Sequence, residues 1–174
     1  MNEPFKLELG GGTRPKPGFR NLDIIPGVEF SFDLNKIPPA QLPFDDLSVD
    51  EVFSGHCLEH VKDPYAVLVD VARIGKLGCP VEVRVPHYLS DCAMTPGHLH
   101  VLGLNSVRNV THYFYGDWFK GKRRLRLDDV SYGPSEFLPE LMQLHPGWSR
   151  EQVLKYAPNA AHETIYKFTV IRND

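Results

Sequence analysis

The sequence contains only three cysteines, Cys57, Cys79 and Cys92, an odd number with no paired spacing. That argues against a disulfide framework and for a reducing compartment. No apolar run approaches the ~20 residues a membrane-spanning helix needs. The start, MNEPFKLELG, has no basic stretch leading into an apolar one, so no secretory signal is evident. Neither sign of charge dominates: 19 Lys and Arg against 22 Asp and Glu leave a net charge of -3. Nothing in that balance calls for nucleic acid or an anionic membrane. Internal repeats and low-complexity tracts are also absent. The expectation is a single domain over 1–174, soluble and cytoplasmic. The sequence leaves the oligomeric state open.

Proline is abundant, with 15 in 174 residues, and it implies short elements with firm breaks. Strands are expected at Phe5 to Leu9, Phe19 to Ile25, Val28 to Leu34, Val49 to Ser54 and Pro80 to Val85. Pro64 to Lys76 is the clearest helix, with Asp63 as its cap, Pro64 in its first turn and Gly75 and Gly78 to end it. His87 to Gly103 reads as a histidine-rich loop and Asn105 to Tyr115 as a helix. Ser135 to Leu144 and Ser149 to Tyr156 read as helices between two late strands, Arg123 to Tyr132 and Thr164 to Arg172. This order predicts an α/β fold: a compact, Rossmann-like, mostly parallel sheet with covered faces and an antiparallel edge.

Gly10, Gly11 and Gly12 follow the first strand directly. Glycine there lets a ligand approach the backbone and lets backbone N–H groups point at it. A dinucleotide loop needs a helix starting at the glycines and an acid about 20 residues on. Here Pro15 and Pro17 block such a helix, and Asp23 lies 11 residues after Gly12. The loop suits a nucleoside ligand without a pyrophosphate, and a small NAD-dependent oxidoreductase is disfavoured. Asp23 ends the second strand and is placed to accept both ribose hydroxyls. Asp33 ends the third, where its carboxylate and the Leu34 N–H can meet an adenine edge. Either acid alone reads more simply as a turn or cap residue. Glycines and two acids at three successive strand ends are harder to obtain by chance, and ligands of open α/β sheets bind at those ends.

The series L-E-L-G-G-G, N-L-D-I, F-D-L-N and L-P-F-D-D-L-S-V-D-E-V-F-S-G-H-C-L-E-H-V resembles the class I methyltransferases of the methyltransferase-11 type over residues 6–90. The resemblance implies S-adenosylmethionine as cofactor, with S-adenosylhomocysteine as product. It further implies that Glu8, Gly10 and Gly12 line the methionine end. Asp23 would then hold the ribose with Ile24 beside the adenine, Asp33 and Leu34 would meet the adenine edge, and Ser54, Gly55 and His56 would lie near the sulfonium. The chain departs from the family pattern at Arg14, where a third glycine is usual, and in the missing helix after the loop and at the N-terminus. A binding module without turnover is therefore the main alternative to an enzyme.

Five histidines, His56, His60, His87, His98 and His100, fall in one stretch of chain. His56 and His87 are the candidate general bases, with a structural role as the alternative for each. His87, Asp91, His98 and His100 form a conceivable metal set, but no zinc spacing matches and no metal is assigned. His60 and Cys57 read as structural. Lys120 to Arg126 reads as the solvated face of an edge strand. Tyr113, Phe114, Tyr115, Trp118 and Phe119 read as core aromatics. The acceptor is expected to be a small molecule.

Overall fold

The computed structural model describes residues 3–112 and 123–172. Tyr113, Phe114, Tyr115, Trp118, Phe119 and the first part of the basic run, 120–122, lie outside them. Seven strands form one sheet: Lys6–Leu9 (β1), Arg20–Asp23 (β2), Phe30–Ser31 (β3), Glu51–Gly55 (β4), Pro80–Pro86 (β5), Arg123–Pro134 (β6) and Ala161–Arg172 (β7). Their order is β3-β2-β1-β4-β5-β7-β6. β1 to β5 are parallel, and β7 runs antiparallel to both β5 and β6. This is the mostly parallel sheet with an antiparallel edge that the sequence predicts.

The helices are Pro64–Ile74 (α1), Leu104–His112 (α2), Leu138–Leu144 (α3) and Arg150–Tyr156 (α4). α1 begins as the sequence expects, with the Asp63 carboxylate accepting from the Ala66 N–H at 2.9 Å and Pro64 in the first turn. It stops at Ile74, two residues short of the expected end. Gly75 caps it there, and a Cβ on Gly75 would lie 2.7 Å from Val170 of β7.

Register places Leu7, Leu9, Leu22, Val52, Val81, Val83, Tyr166 and Phe168 on one face of the sheet, and all are buried. Val67, Leu68, Val71 and Ile74 of α1 and Val107 of α2 close over them. A smaller cluster joins Leu138 of α3 to Val153 and Leu154 of α4 at the far end of β6 and β7. Each of these larger apolar side chains contributes about 1.5–3 kcal/mol by leaving water.

The opposite face departs from expectation. The sequence reading has covered faces but no helix after the glycine loop; the second expectation is met, since the connections β1–β2 and β2–β3 contain turns and, among the described residues, no helix, and that leaves this face without helical cover. Lys6, Glu8, Asn21, Glu51, Phe53, Glu82, Arg84 and Lys167 share that face by register. Several pair with one another or with the loop above them. Lys6 pairs with Glu51 at 2.7 Å, Arg84 with Glu82 at 2.7 Å, and the Lys16 ammonium sits 3.9 Å from the centre of the Phe53 ring. A strand covered on both faces reads as a continuous apolar run, whereas one wet face gives alternation. The clean alternation of PVEVRV in β5 already carried that information.

The proline-rich connection from β3 to β4 is strapped down by one side chain. Arg73 of α1 donates to the carbonyls of Leu42 and Phe44 at 2.9 and 2.8 Å, to Asp46 at 3.1 Å, and in a fork to Asp70. Asp70, buried, also accepts from the Leu42 N–H. Arg123, read from sequence as part of a solvated run, is largely buried here and donates to the Ala72 and Arg73 carbonyls and to Asp46. β6 is nonetheless the edge strand that the run was expected to form.

Candidate functional site

The glycine loop turns sharply where β1 ends. Gly10 and Gly12 have φ of +75° and +57°, a region that side-chain-bearing residues rarely adopt. A Cβ on Gly10 would also lie 2.3 Å from Cys57 Sγ, so glycine is required twice over. The Gly10 N–H donates to the Leu22 carbonyl at 2.8 Å, and the Gly12 N–H donates to the Asp23 carboxylate at 2.8 Å. Ile25 N–H reaches the other Asp23 oxygen at 3.2 Å. From beneath, Asn21 accepts from the Gly11 N–H at 3.1 Å and donates to the Gly12 carbonyl at 2.9 Å. Glu8 accepts from the Lys16 N–H. The loop is thus held from both sides with its strand-end acid already in place.

A cleft of about 270 Å³ opens over the ends of β1, β2 and β4. Six of the residues expected to bind the cofactor line it: Gly10, Asp23, Ile24, Asp33, Leu34 and His56. Glu8, Gly11, Gly12, Ser54 and Gly55 are not among its lining residues. Glu8 is buried on the polar face beneath the loop, and Ser54, buried, donates to the Leu9 carbonyl at 3.3 Å. Gly11 has no room for a side chain, since a Cβ would lie 2.6 Å from Asn21 Oδ1. The sequence reading missed Phe32, Asn35, Cys57, His60 and Val61 as cleft walls. Cys57, His60 and Val61 stand inside the C-L-E-H-V stretch that carries the resemblance, which was the available signal. A larger hollow of about 690 Å³ between α2, β6 and α4 contains none of the expected site residues.

Asp33 accepts from the Asn35 N–H at 2.9 Å and so caps the single 3-10 turn Leu34–Lys36. That turn replaces a full helix in the β3–β4 connection and fixes where Leu34 enters the cleft.

His56 has φ of +50° and donates its backbone N–H to the Arg84 carbonyl at 2.9 Å. Its ring lies between two carboxylates, with Nε2 3.3 Å from Glu163 and Nδ1 3.4 Å from Glu59. Glu163 first, then Glu59, raise its pKa to about 9. The ring is therefore an imidazolium at neutral pH. Its charge is balanced by the two carboxylates and it takes no proton there, which leaves the structural alternative for His56 rather than the general base. The same contact holds the Glu163 carboxyl below the usual range. Cys57 is no nucleophile, because burial pushes its thiol up to about 12.

His87 is fully buried, packed against Tyr88 and Tyr132, with Nδ1 accepting from the Leu89 N–H at 3.3 Å. A ring with no exposed surface does not reach an acceptor in the cleft, so the geometry gives it a structural role. Burial lowers its pKa from 6.5 to about 4. The unfolded chain then binds the extra proton between those two values, so burial costs nothing through this group above pH 6.5 and destabilises the fold progressively as pH falls toward 4. At full strength that penalty corresponds to about 3 kcal/mol. His87→Phe is expected to flatten the acid limb of stability against pH in that window, measured by denaturant melts at pH 4 to 7.

The suggested metal set does not assemble: His100 Nε2 is bonded to the Lys62 carbonyl at 3.0 Å and His87 is enclosed. Among the described residues, the grouping that does form is Glu59, His60 and His98.

With this geometry in hand, comparison with known proteins is informative. Residues 24–79 match the family described as a methyltransferase domain. No curated protein sequence matches the chain. A putative methyltransferase in complex with the Haloferax volcanii Trm112 methyltransferase activator superposes with a TM-score of 0.61 at 18% identity, covering 97% of this chain and 83% of that one. The chain has the class I methyltransferase fold. A methyltransferase of this fold from Archaeoglobus fulgidus, S-adenosylmethionine-dependent, gives 0.60 at 11% identity over 95% of this chain and 86% of that one. The [4+2]-cyclase SpnF gives 0.56 at 10% identity over 95% and 74%. The class I methyltransferase fold therefore also occurs in a protein named for a different reaction, and the site must carry the functional argument.

Proposed function

We propose that the chain is an S-adenosylmethionine-dependent methyltransferase acting on a small-molecule acceptor, with the cofactor in the cleft at the ends of β1, β2 and β4. The observation that carries this reading is the convergence of Gly10, Asp23, Ile24, Asp33 and Leu34 on one cleft. The donor set fits the cofactor. Asp23 keeps lone pairs free for two ribose hydroxyls beyond the two backbone bonds it accepts. Ile24 is 61% exposed at the cleft wall, an apolar surface that a purine would cover. Asp33 and Leu34 stand where the adenine edge would reach.

When bound, S-adenosylmethionine supplies an already activated methyl group for in-line displacement. The chain's own work is positioning. Asp23 would hold the ribose, Gly10 would let the methionine end approach the backbone, Phe32, Leu34 and Val61 would exclude water around the base, and the His56 ring, fixed between Glu59 and Glu163, would shape the cleft wall. Among the described residues, no helix is long and apolar enough to cross a membrane. Free Cys57, Cys79 and Cys92 agree with a cytoplasmic setting.

The second reading, a binding module without turnover, is favoured by one observation: neither His56 nor His87 is a free base facing the cleft. The test is release of S-adenosylhomocysteine from S-adenosylmethionine in the presence of fractionated small molecules. Acceptor-dependent release is expected. Cofactor binding without release in any fraction would assign the binding-module reading.

A further inference from the structure

Three ligand-type side chains meet beside the cleft, and the proposed reaction does not use them as a group. Glu59 and His60 belong to the 3-10 turn Leu58–His60, and His98 comes from the loop after β5. One ligand atom from each lies within 4.8 Å of the others. The loop is pinned to the turn by main-chain bonds, Leu99 N–H to the Glu59 carbonyl at 2.7 Å and His100 N–H to the same carbonyl at 3.2 Å. The two imidazole rings are nearly perpendicular, with centres 4.7 Å apart.

Two facts show that this arrangement has unused ligand capacity. Glu59 is 1% exposed, and among the described residues neither carboxylate oxygen has a hydrogen-bond donor. Its charge is met by the His56 imidazolium at 3.4 Å, a contact too long to use up the lone pairs of either oxygen. His98 Nδ1 is likewise buried without a partner. A buried carboxylate with one long ion pair and no hydrogen-bond donor keeps part of its desolvation cost. His60 is in a different state: its Nδ1 lies 3.0 Å from the Gly97 carbonyl. That contact makes Nδ1 the protonated nitrogen and leaves the Nε2 lone pair available, as outer carbonyls do for metal-bound histidines.

We propose that Glu59, His60 and His98 form a binding site for a divalent first-row transition metal ion. Two imidazoles and one carboxylate suit zinc or a metal of that class rather than magnesium or calcium, which prefer all-oxygen shells. Three protein ligands leave coordination positions for water or a small oxygen or nitrogen ligand. His60 lines the cleft, so the ion sits on its wall. The site stands independently of methyl transfer, because a module without turnover would retain it.

The test is zinc titration of chelator-treated protein by calorimetry, with magnesium as comparison and cobalt absorption as a second readout. Stoichiometric zinc binding at micromolar affinity or tighter is expected, with visible cobalt bands and no magnesium binding at the same concentrations. His60→Ala, an exposed position, and Glu59→Gln, which keeps the side-chain volume, are each expected to weaken zinc by at least 30-fold with circular dichroism unchanged. No saturable zinc binding would overturn the proposal. So would zinc binding of wild-type strength in His60→Ala and in whichever of Glu59→Gln and His98→Ala remains folded.

Discussion

Asp23→Ala is expected to weaken S-adenosylhomocysteine binding by roughly 100-fold, about 3 kcal/mol. Asp23 serves twice. On the proposed reading its carboxylate accepts both ribose hydroxyls, and hydrogen bonds to a charged group are worth about 1.5–3 kcal/mol each. It also accepts from the Gly12 and Ile25 N–H groups at 2.8 and 3.2 Å, so its removal frees the loop that must meet the ligand. Asp23→Asn keeps one acceptor oxygen and is expected to fall between the two. The measurement is calorimetric titration of each variant. Equal affinity of wild type and Asp23→Ala would place the ribose elsewhere.

Arg73→Met is expected to destabilise the fold by about 3–5 kcal/mol, the cost of breaking a buried ion pair from one side. Asp70 would keep its buried charge with no guanidinium beside it. The Leu42 and Phe44 carbonyls would each lose a donor. For a chain of this size the melting temperature should fall by roughly 10 °C. Arg73→Lys should recover only part, since an ammonium cannot fork onto Asp70 while serving both carbonyls. Asp70→Leu combined with Arg73→Met should cost less than Arg73→Met alone, because no charge is then stranded. The strap also bears on function, since it anchors the connection that follows Asp33 and Leu34 into the cleft. Thermal melts of the four proteins check the order.

Much of the fold is legible in the chain because short strands between prolines and glycines leave few alternatives. Leu7 and Leu9 alternate with Lys6 and Glu8, and Gly10 stops the strand. Asp63 and Pro64 announce α1 by local chemistry alone. The convergence of Gly10, Asp23 and Asp33 on one cleft was readable for the same reason: Gly10 follows β1, Asp23 ends β2 and Asp33 lies just past β3, and a parallel sheet brings such ends together. What escaped depends on long-range pairing. Nothing near His56 in sequence reveals Glu163, 107 positions away, which turns a candidate base into an imidazolium. His98 meets Glu59 only because the loop after β5 folds back on the turn after β4. His87 looks free in a histidine-rich loop, and only packing against Tyr132 of β6 shows that it is enclosed.

The central claim is that this cleft is built for a nucleoside ligand of the S-adenosyl type and not for a dinucleotide. Calorimetric titration of the wild-type chain with S-adenosylhomocysteine, and separately with NAD, tests it most directly. Micromolar, one-to-one binding of S-adenosylhomocysteine with no heat from NAD is predicted. Absence of S-adenosylhomocysteine binding, or tighter binding of NAD, would contradict it.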